Sequence, residues 1–492
     1  MGDLRQQAVS GVLWSGVEKL TFTGVRFLVQ VILARILAPE EFGLVALVLV
    51  FNFIGIGLMD SGFNQVVIQK KKITHLDLCS IFYVNLGLGL LITAILWSLA
   101  SHVAAFYEQP LLEPLMRLSS FSVILTSIGR IHMSQLRRDM AFRKLCLVIW
   151  PSMLVSGIVA VVMAWQGYGI WSLAWYALTR MMLESLSLWL ASTWRPSICF
   201  SYNSIRESLP FAFNMSIVRF TNLIAENIYF LVVGKMYSVS QTGYLQRAHS
   251  FRMLAAGTLG MILERVTFPL FSKLQDDLPA LRRAYLRILS LYALFFAFAM
   301  SLLAALAEPA IGLILGEKWL PSAPYLQLLC AVGFMYSMDR LTQAVIKSLG
   351  HASMLLKLTL LGHGLAAGAL IITAFHGIQA ILIGQIVASV LAWFPKAIAV
   401  QRYSGAPVAS QISKLTTPVI CAFVQFFVVF SVVQMNDEAV YSILFGICMS
   451  ILVGILTIVV TRKKFQPEFK LIIEIVPQLS FLSPLLISQS EV

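Results

Sequence analysis

Apolar residues occur along this chain in long runs, separated by short polar stretches that hold most of its charge. The pattern predicts fourteen runs of roughly 20–28 residues, each long enough to cross a bilayer as an α-helix. Helices are favoured over strands because a segment in lipid must satisfy its backbone polar groups internally. The predicted limits are 9–37, 41–66, 77–103, 114–136, 143–165, 168–192, 208–234, 241–270, 285–307, 322–348, 353–375, 377–400, 409–434 and 439–461.

The junction between the first two runs is the clearest local signal. The sequence from Phe22 to Leu47, FTGVRFLVQVILARILAPEEFGLVAL, has Arg26 inside the first run and Ala38-Pro39 at its end. Pro39 fits the first turn of the second helix, because the N–H that proline lacks would have no partner there.

A similar sequence pattern at a helix junction recurs about 200 residues later. GKMYSVSQTGYLQ, Gly234 to Gln246, matches ARILAPEEFGLVA, with Gly243 set against Gly43. Further along, residues 114–131 align with residues 324–341 at an offset of 210, which superposes Arg130 on Arg340. The order of these matches predicts duplication of a six-helix unit. Because six is even, both copies enter from the same side, and a pseudo-two-fold axis along the membrane normal should relate them.

The predicted fold class is therefore all-α: a polytopic membrane protein of about fourteen transmembrane helices. Two six-helix lobes, residues 1–200 and 201–403, are followed by helices thirteen and fourteen in residues 404–463. Residues 464–492 are predicted to be a cytoplasmic or interfacial tail, because prolines at 467, 477 and 484 argue against another span.

Composition agrees with a membrane protein. Apolar residues make up 59% of the chain, mean hydropathy is +0.83, and 12% of residues are charged, about half the share in a soluble domain. The net charge of +13 is spread over short loops, which argues against nucleic acid as a partner. The six cysteines lie far apart with no CxxC pair, so we predict buried thiols, no disulfide framework, no metal site and no cofactor.

Basic residues fix the predicted orientation. With a cytoplasmic N-terminus, the inner loops hold 23 of the 36 Lys and Arg residues, Lys396 among them, whereas the outer loops and adjoining helix ends hold four. By the positive-inside rule both termini are then cytoplasmic.

The remaining nine basic residues and six acidic residues fall inside the predicted spans, where charge is by default a sign of function. Arg180 and Glu184 are four apart, so a structural ion pair on one helix face is at least as good an explanation as substrate contact. Asp60 and Asn64 are also four residues apart, near the inner end of the second run. Two interpretations remain open for them: a gate and a buried pair.

Four arginines inside other predicted helices are candidates for binding the substrate. Arg219, Asn222 and Glu226 occupy positions i, i+3 and i+7 of one helix face. Arg26 lies on the first helix of the other predicted lobe. These two arginines are the first candidates, with Arg247 and Arg252 as second candidates in the next helix; all suit a phosphorylated ligand, since guanidinium binds phosphate through paired hydrogen bonds.

Enzymatic functions fit the sequence poorly. It has no G-x-x-x-x-G-K-[ST] loop, no HExxH and no G-x-S-x-G elbow. Transport is the favoured class, and a phosphate at membrane depth most naturally belongs to a lipid head group. Two alternatives remain: a cation-coupled drug antiporter, for which acidic cavity residues should outnumber arginines, and a membrane glycosyltransferase or polymerase, for which the outer loops are small.

Several segments carry a resemblance to Wzx-type polysaccharide flippases, and most of all to exporters of the colanic-acid and lipopolysaccharide O-unit type. The resemblance covers roughly residues 8 to 400. The segments are ILARILAPEEFGLVAL, DSGFNQVVIQK, AFRKLCLVIWPSM, QGYGIWSLAW, GYLQRAHSF, FPLFSKLQDD and GEKWLPSAPYLQLLCAVG.

This resemblance implies membership of the multidrug/oligosaccharidyl-lipid/polysaccharide exporter superfamily and alternating access between two lobes. The implied substrate is an undecaprenyl-pyrophosphate-linked oligosaccharide, moved across the bacterial inner membrane for lipopolysaccharide, capsule or exopolysaccharide assembly. Membrane lipids, a polysaccharide polymerase and chain-length machinery are the implied partners. Arg26 and Arg219 would hold the pyrophosphate, and Asp60, Glu226 and Asp339 are the candidates for ion coupling or gating.

Overall fold

The computed structural model describes residues 22–475 except 61, 71 and 437. The predictions for residues 9–21 of the first run and for residues 476–492 of the tail lie outside this range. Within it the chain forms helices and turns and contains no strand, which confirms the all-α class.

Each predicted run contains at least one helix among its described residues. The helices are α1 (22–36), α2 (Pro39–Met59), α3 (Phe63–Gln69), α4 (His75–Tyr107), α5 (Leu112–Arg138), α6 (Phe142–Trp165), α7 (Ile170–Ala191), α8 (Tyr202–Met236), α9 (Val239–Arg252), α10 (Leu259–Lys273), α11 (Leu278–Ala305), α12 (Ala307–Leu315), α13 (Ala323–Ser348), α14 (Ala352–Thr373), α15 (Ile378–Ser404), α16 (Val408–Gln434) and α17 (Ala439–Ile475). A π-helical turn, Met253–Thr258, joins α9 to α10, and a 3₁₀ turn, Glu317–Ser322, precedes α13.

Eight helices of the described residues are long and apolar enough to cross a membrane. They are α2, α4, the Arg143–Trp165 part of α6, α11, α14, α15, α16 and the Ala439–Thr457 part of α17. Helices α5, α8 and α13 are as long but carry charged side chains such as Arg130, Arg219 and Asp339. The chain is therefore a multi-pass membrane protein, and fourteen as the number of spans stays a prediction.

Several helix limits differ from the prediction, and two of these differences concern the second run and the tail. The run 41–66 is not one helix, because α2 ends at Met59 and α3 begins at Phe63. Gly62 has φ +73°, a left-handed conformation that glycine adopts without strain. At the other end, α17 continues to Ile475 instead of ending at 461, so the first part of the predicted tail is helical.

The chain divides into two compact units, Met1–Gln246 and Arg247–Val492, and each has its own apolar core. In the first unit, side chains of α2, α4 and α5 such as Leu47, Ile92 and Leu115 pack together. In the second, Tyr285, Phe296 and Trp393 belong to a core shared by α11, α13 and α15. The lobe limits 1–200 and 201–403 stay a prediction.

Within the first unit, the two turns that the sequence repeat aligns lie against each other. A Cβ on Gly43 would overlap the carbonyl oxygen of Val239, and a Cβ on Gly243 would overlap that of Pro39. Ser240 donates a hydrogen bond to Glu40, its repeat equivalent, at 2.5 Å. Reciprocal contacts of this kind are the signature of a local two-fold axis, so they support the internal repeat.

Candidate functional site

The candidate site is centred on Asp60, the residue at which α2 ends. Its backbone N–H donates to the carbonyl oxygen of Ile56 at 2.9 Å, which closes the last turn of the helix. The carboxylate itself is buried, with 5% of the residue exposed. A buried carboxylate is costly unless it is paired and hydrogen-bonded, so its partners decide what it can do.

Glycines let α8 approach the end of α2 closely. A Cβ on Gly57 would overlap the side chain of Leu223, and a Cβ on Gly62 would overlap the backbone of Ala212. The later residue, Gly62, which follows α2, contacts an earlier position of α8 than Gly57 does. The chain segments therefore run antiparallel. In this register Asp60, between Gly57 and Gly62, faces the part of α8 between Ala212 and Leu223, which contains Arg219.

Three side chains from three helices meet the Asp60 carboxylate. Arg219 of α8 and Asn64 of α3 donate hydrogen bonds to it, and Arg130 of α5 lies 3.4 Å from it. Asn64 is in turn held by Asn85 of α4, whose amide donates to it at 3.3 Å. The sequence left a gate and a buried pair open for Asp60 and Asn64; the structure shows a buried hydrogen-bonded pair, and the sequence did not indicate the two arginines as further partners.

The charges of this cluster do not cancel. Two guanidinium groups share one carboxylate, so the cluster keeps a surplus positive charge. Asp60 is buried, whereas 43% of the Arg219 side chain is exposed. The surplus charge therefore reaches an accessible surface at Arg219, where an anionic ligand can meet it.

The other predicted residues of α8 continue the same face. Asn222 is half-buried one turn after Arg219, and Glu226 is exposed one turn further. The amide of Asn222 can accept or donate a hydrogen bond beside the Arg219 guanidinium.

Arg26 lies on α1 with an exposed side chain. Its electrostatic neighbours are Arg180 and Tyr176 of α7. Arg180 pairs with Glu184 at 3.2 Å, as the four-residue spacing predicts. Among the described residues, no hydrogen bond or ion pair joins Arg26 to the Asp60 cluster.

Arg247 and Arg252 are buried in the second unit, unlike Arg26 and Arg219. The Arg252 guanidinium lies 2.7 Å from Nε2 of His249 and 5.9 Å from the ring centre of Tyr336. In the structure these two arginines are part of the protein interior.

Asp339, the third coupling candidate, is held by two polar side chains of the second unit. The Lys396 ammonium lies 2.6 Å from one carboxylate oxygen, and Gln343 donates to the other at 2.7 Å. Counting Lys396 among the loop residues was wrong, because α15 continues to Ser404 and Lys396 is 4% exposed inside it. Its pairing with Asp339 offsets the cost of burying its charge.

An ion pair equivalent to Arg130–Asp60 recurs in the second unit. Arg340, which the repeat superposes on Arg130, donates to Glu264 of α10 through Nε at 2.9 Å and through Nη2. In each unit the arginine thus meets an acid on the second predicted span of that half, Asp60 or Glu264. The superposition of Arg130 on Arg340 indicated that the two arginines are equivalent, but the sequence did not indicate the acids that they pair with.

Comparison with known proteins gives the same family as the sequence motifs. The family model described as "Polysaccharide biosynthesis protein" matches residues 32–324. Lipopolysaccharide biosynthesis protein WzxC of Escherichia coli (strain K12) is 27% identical over 340 residues, 68% of each chain. Succinoglycan biosynthesis transport protein ExoT of Rhizobium meliloti (strain 1021) is 28% identical over 317 residues, 64% of each chain.

Two solved structures have a fold similar to that of this chain. Lipid II flippase MurJ, in its inward closed conformation, matches with a TM-score of 0.73 at 16% identity and covers 93% of this chain and 98% of its own. An inward-facing multidrug resistance MATE family transporter matches with a TM-score of 0.63 at 14% identity, over 79% of this chain and 99% of its own. The fold is that of these transporters, and because the family model spans more than half of the sequence, the chain belongs to the polysaccharide biosynthesis protein family.

Proposed function

We propose that this protein is a flippase that moves undecaprenyl-pyrophosphate-linked oligosaccharides across the bacterial inner membrane, rather than an enzyme that modifies them. The observation that carries the proposal is the surplus positive charge of the Asp60 cluster, which reaches an accessible surface at Arg219. The names of the relatives WzxC and ExoT, which refer to lipopolysaccharide and succinoglycan biosynthesis, support polysaccharide intermediates as the cargo.

The proposed ligand group is the pyrophosphate. Guanidinium groups bind phosphate oxygens through short, charge-assisted and often paired hydrogen bonds. Arg219 and Arg26 are the proposed first contacts, since both side chains are exposed, and Asn222 adds a hydrogen bond. Arg247 and Arg252 stay candidates for a later step, because their present burial would have to change before they met a ligand.

Asp60 acts in this scheme as an internal substitute for the substrate. Without substrate its carboxylate neutralises Arg219; a pyrophosphate, with more charge and more acceptor oxygens, competes for the same guanidinium. Leaving a buried carboxylate with no partner would cost about 3–5 kcal/mol. Arg130 and Asn64 avoid that cost by holding Asp60 when Arg219 turns to the ligand.

Translocation is proposed to follow alternating access between lobes 1–200 and 201–403, with the lipid tail remaining in the bilayer. A membrane potential that is negative inside favours outward movement of an anion, by about 2.3 kcal/mol per charge per 100 mV. Asp60, Glu226 and Asp339 are the proposed coupling or gating residues. Both termini are placed in the cytoplasm, and a polysaccharide polymerase and chain-length machinery are the proposed protein partners.

The second candidate function is a cation-coupled drug antiporter, which the fold shared with a MATE transporter favours. An antiporter site for cationic drugs should present carboxylates. The exposed charged side chains at the candidate site include Glu226 as well as Arg219 and Arg26, so the two functions differ in which of these charges meets the ligand.

A leaflet-accessibility assay in proteoliposomes with a defined lipid-linked oligosaccharide tests the proposal. We expect the wild-type protein to expose the sugar on the opposite leaflet, and Arg219→Ala to abolish this while folding normally. Arg117→Ala is the matched control, because Arg117 is similarly exposed, at 39%, and pairs with Glu113 away from the site. Transport of a cationic dye with no lipid translocation would support the antiporter, and product formation in detergent alone would support a transferase.

A further inference from the structure

Three metal-binding side chains come together at the start of α4, away from the Asp60 cluster. They are His75, Cys79 and Cys199, whose nearest ligand atoms all lie within 4.8 Å of one another. This cluster was not predicted, because the two cysteines are 120 positions apart and form no CxxC pair.

The cluster is held in place by the fold. His75 and Cys79 are one turn apart on the same face of α4. Cys199 belongs to the segment 192–201 between α7 and α8, and this segment is fastened to α4 at two other points. Tyr83 donates to the carbonyl oxygen of Ser197 at 3.1 Å, and the Ser201 N–H donates to Ser80 at 2.8 Å.

One distance in the cluster is close to that between two ligands of a tetrahedral zinc ion, and the three ligand atoms all lie within 4.8 Å of one another. With Zn–S near 2.3 Å and Zn–N near 2.0–2.1 Å, neighbouring ligand atoms are about 3.5 Å apart. His75 Nε2 lies 3.3 Å from the Cys79 sulfur. Ser197 Oγ lies 3.6 Å from the Cys79 sulfur and 3.2 Å from the Cys199 sulfur, the place of a fourth ligand. The Ser197 N–H also donates to the Cys79 sulfur, at 3.4 Å, which holds the segment against α4 at this point.

We propose that His75, Cys79 and Cys199 bind a Zn²⁺ ion, with the fourth position taken by Ser197 or by water. Two sulfurs and an imidazole suit zinc, whereas Mg²⁺ and Ca²⁺ require oxygen ligands. His75 is exposed and gives the ion a route in. The bound ion fastens the segment that joins α7 to α8 onto α4. In the predicted orientation this region faces the cytoplasm, where thiols stay reduced and available.

Trp194 gives the proposal a specific control. Its indole N–H donates to Nδ1 of His75 at 3.0 Å, so the ring proton is on Nε2, which faces Ser197 at 2.7 Å. Zinc on Nε2 moves the ring proton to Nδ1, where it opposes the indole N–H. The ion therefore binds in competition with the Trp194 hydrogen bond, and Trp194→Phe should bind zinc more tightly than wild type.

The test is a metal titration of the full-length, reduced protein in detergent, after removal of bound metal with a chelator. Against a chromophoric chelator we expect one Zn²⁺ per chain, with affinity reduced about tenfold or more in Cys79→Ser and in Cys199→Ser. Cys330→Ser, which changes a buried cysteine elsewhere, should keep the wild-type affinity.

Cobalt binding gives a spectroscopic readout that cysteines with a purely structural role would not produce. Co²⁺ bound to two thiolates should show a sulfur-to-metal charge-transfer band in wild type, weakened in each cysteine variant. Because Cys199 lies in a connecting segment and is half-buried, its variant remains informative if Cys79→Ser fails to fold. Zinc stoichiometry and affinity that are equal in wild type and Cys199→Ser would overturn the proposal and leave a hydrogen-bonded cluster.

Discussion

Asp60 and Arg219 are 159 positions apart in the chain and form an ion pair within the first compact unit. The pair unites two of the predicted site residues, one expected to gate and one expected to bind pyrophosphate. Arg219, which is expected to bind the substrate, is thus already paired with a carboxylate of the protein. Asp60 and the substrate should therefore compete for Arg219.

Asp60→Asn should strengthen binding of a diphosphate. The change removes the internal anion and leaves Arg219 and Arg130 without their shared counter-charge. A hydrogen bond to a charged group contributes about 1.5–3 kcal/mol, so binding of inorganic pyrophosphate should tighten by about tenfold or more. Calorimetry on the purified protein measures it.

The same variant should release the ligand slowly, so lipid translocation should fall although binding improves. Asp277→Asn, a substitution at the N-cap of α11 that keeps a capping residue, is the control. Unchanged pyrophosphate affinity in Asp60→Asn would show that the carboxylate does not compete with the ligand.

Arg130→Ala and Arg340→Ala should destabilise the protein similarly, because each breaks the equivalent largely buried pair, with Asp60 or with Glu264. A buried charge left with no partner costs about 3–5 kcal/mol, against about 0–1 kcal/mol for loss of an exposed pair. The cost here falls between these values, because Asp60 keeps Arg219 and Asn64, and Glu264 keeps Lys347. In a thermal-unfolding assay in detergent, both variants should therefore unfold at lower temperature than Arg117→Ala. Equal unfolding temperatures for all three would argue against the repeat of the ion pair.

Asp339→Asn should destabilise the second unit, because it leaves the ammonium of Lys396 buried beside a neutral amide. Replacing both charges, in Asp339→Leu with Lys396→Met, should recover much of the lost stability, since an apolar pair of similar size often matches a buried ion pair. Thermal unfolding of Asp339→Leu, of Lys396→Met and of the double variant measures the coupling between the two side chains. If the effects of the single variants simply add in the double variant, the pair does not stabilise the fold.

Gly43→Ala and Gly243→Ala should each lower thermal stability, because the added Cβ would overlap a carbonyl oxygen of the opposing turn. Gly87→Ala is the control: it lies within α4 with open space around its Cβ position, and alanine favours a helix by about 1 kcal/mol over glycine. A stability of Gly43→Ala equal to that of Gly87→Ala would show that the turns can separate freely.

The sequence predicted what depends on local pattern. Apolar run length located the helices, and the spacing of Arg180 and Glu184 predicted their ion pair, because both depend on residues within a few turns. The partners of Asp60 could not be predicted in this way, since Arg130 and Arg219 reach it from distant helices. The His75, Cys79 and Cys199 cluster was missed for the same reason, and the burial of Lys396 depends on where α15 ends.

The crossing of the turns at Gly43 and Gly243 places main-chain atoms of one segment directly against those of the other. No gap of the width of a methyl group remains between them, so neither water nor an acyl chain can pass at this point. The barrier there consists of backbone rather than side chains. Passage of any group at this point would therefore require the two turns to separate.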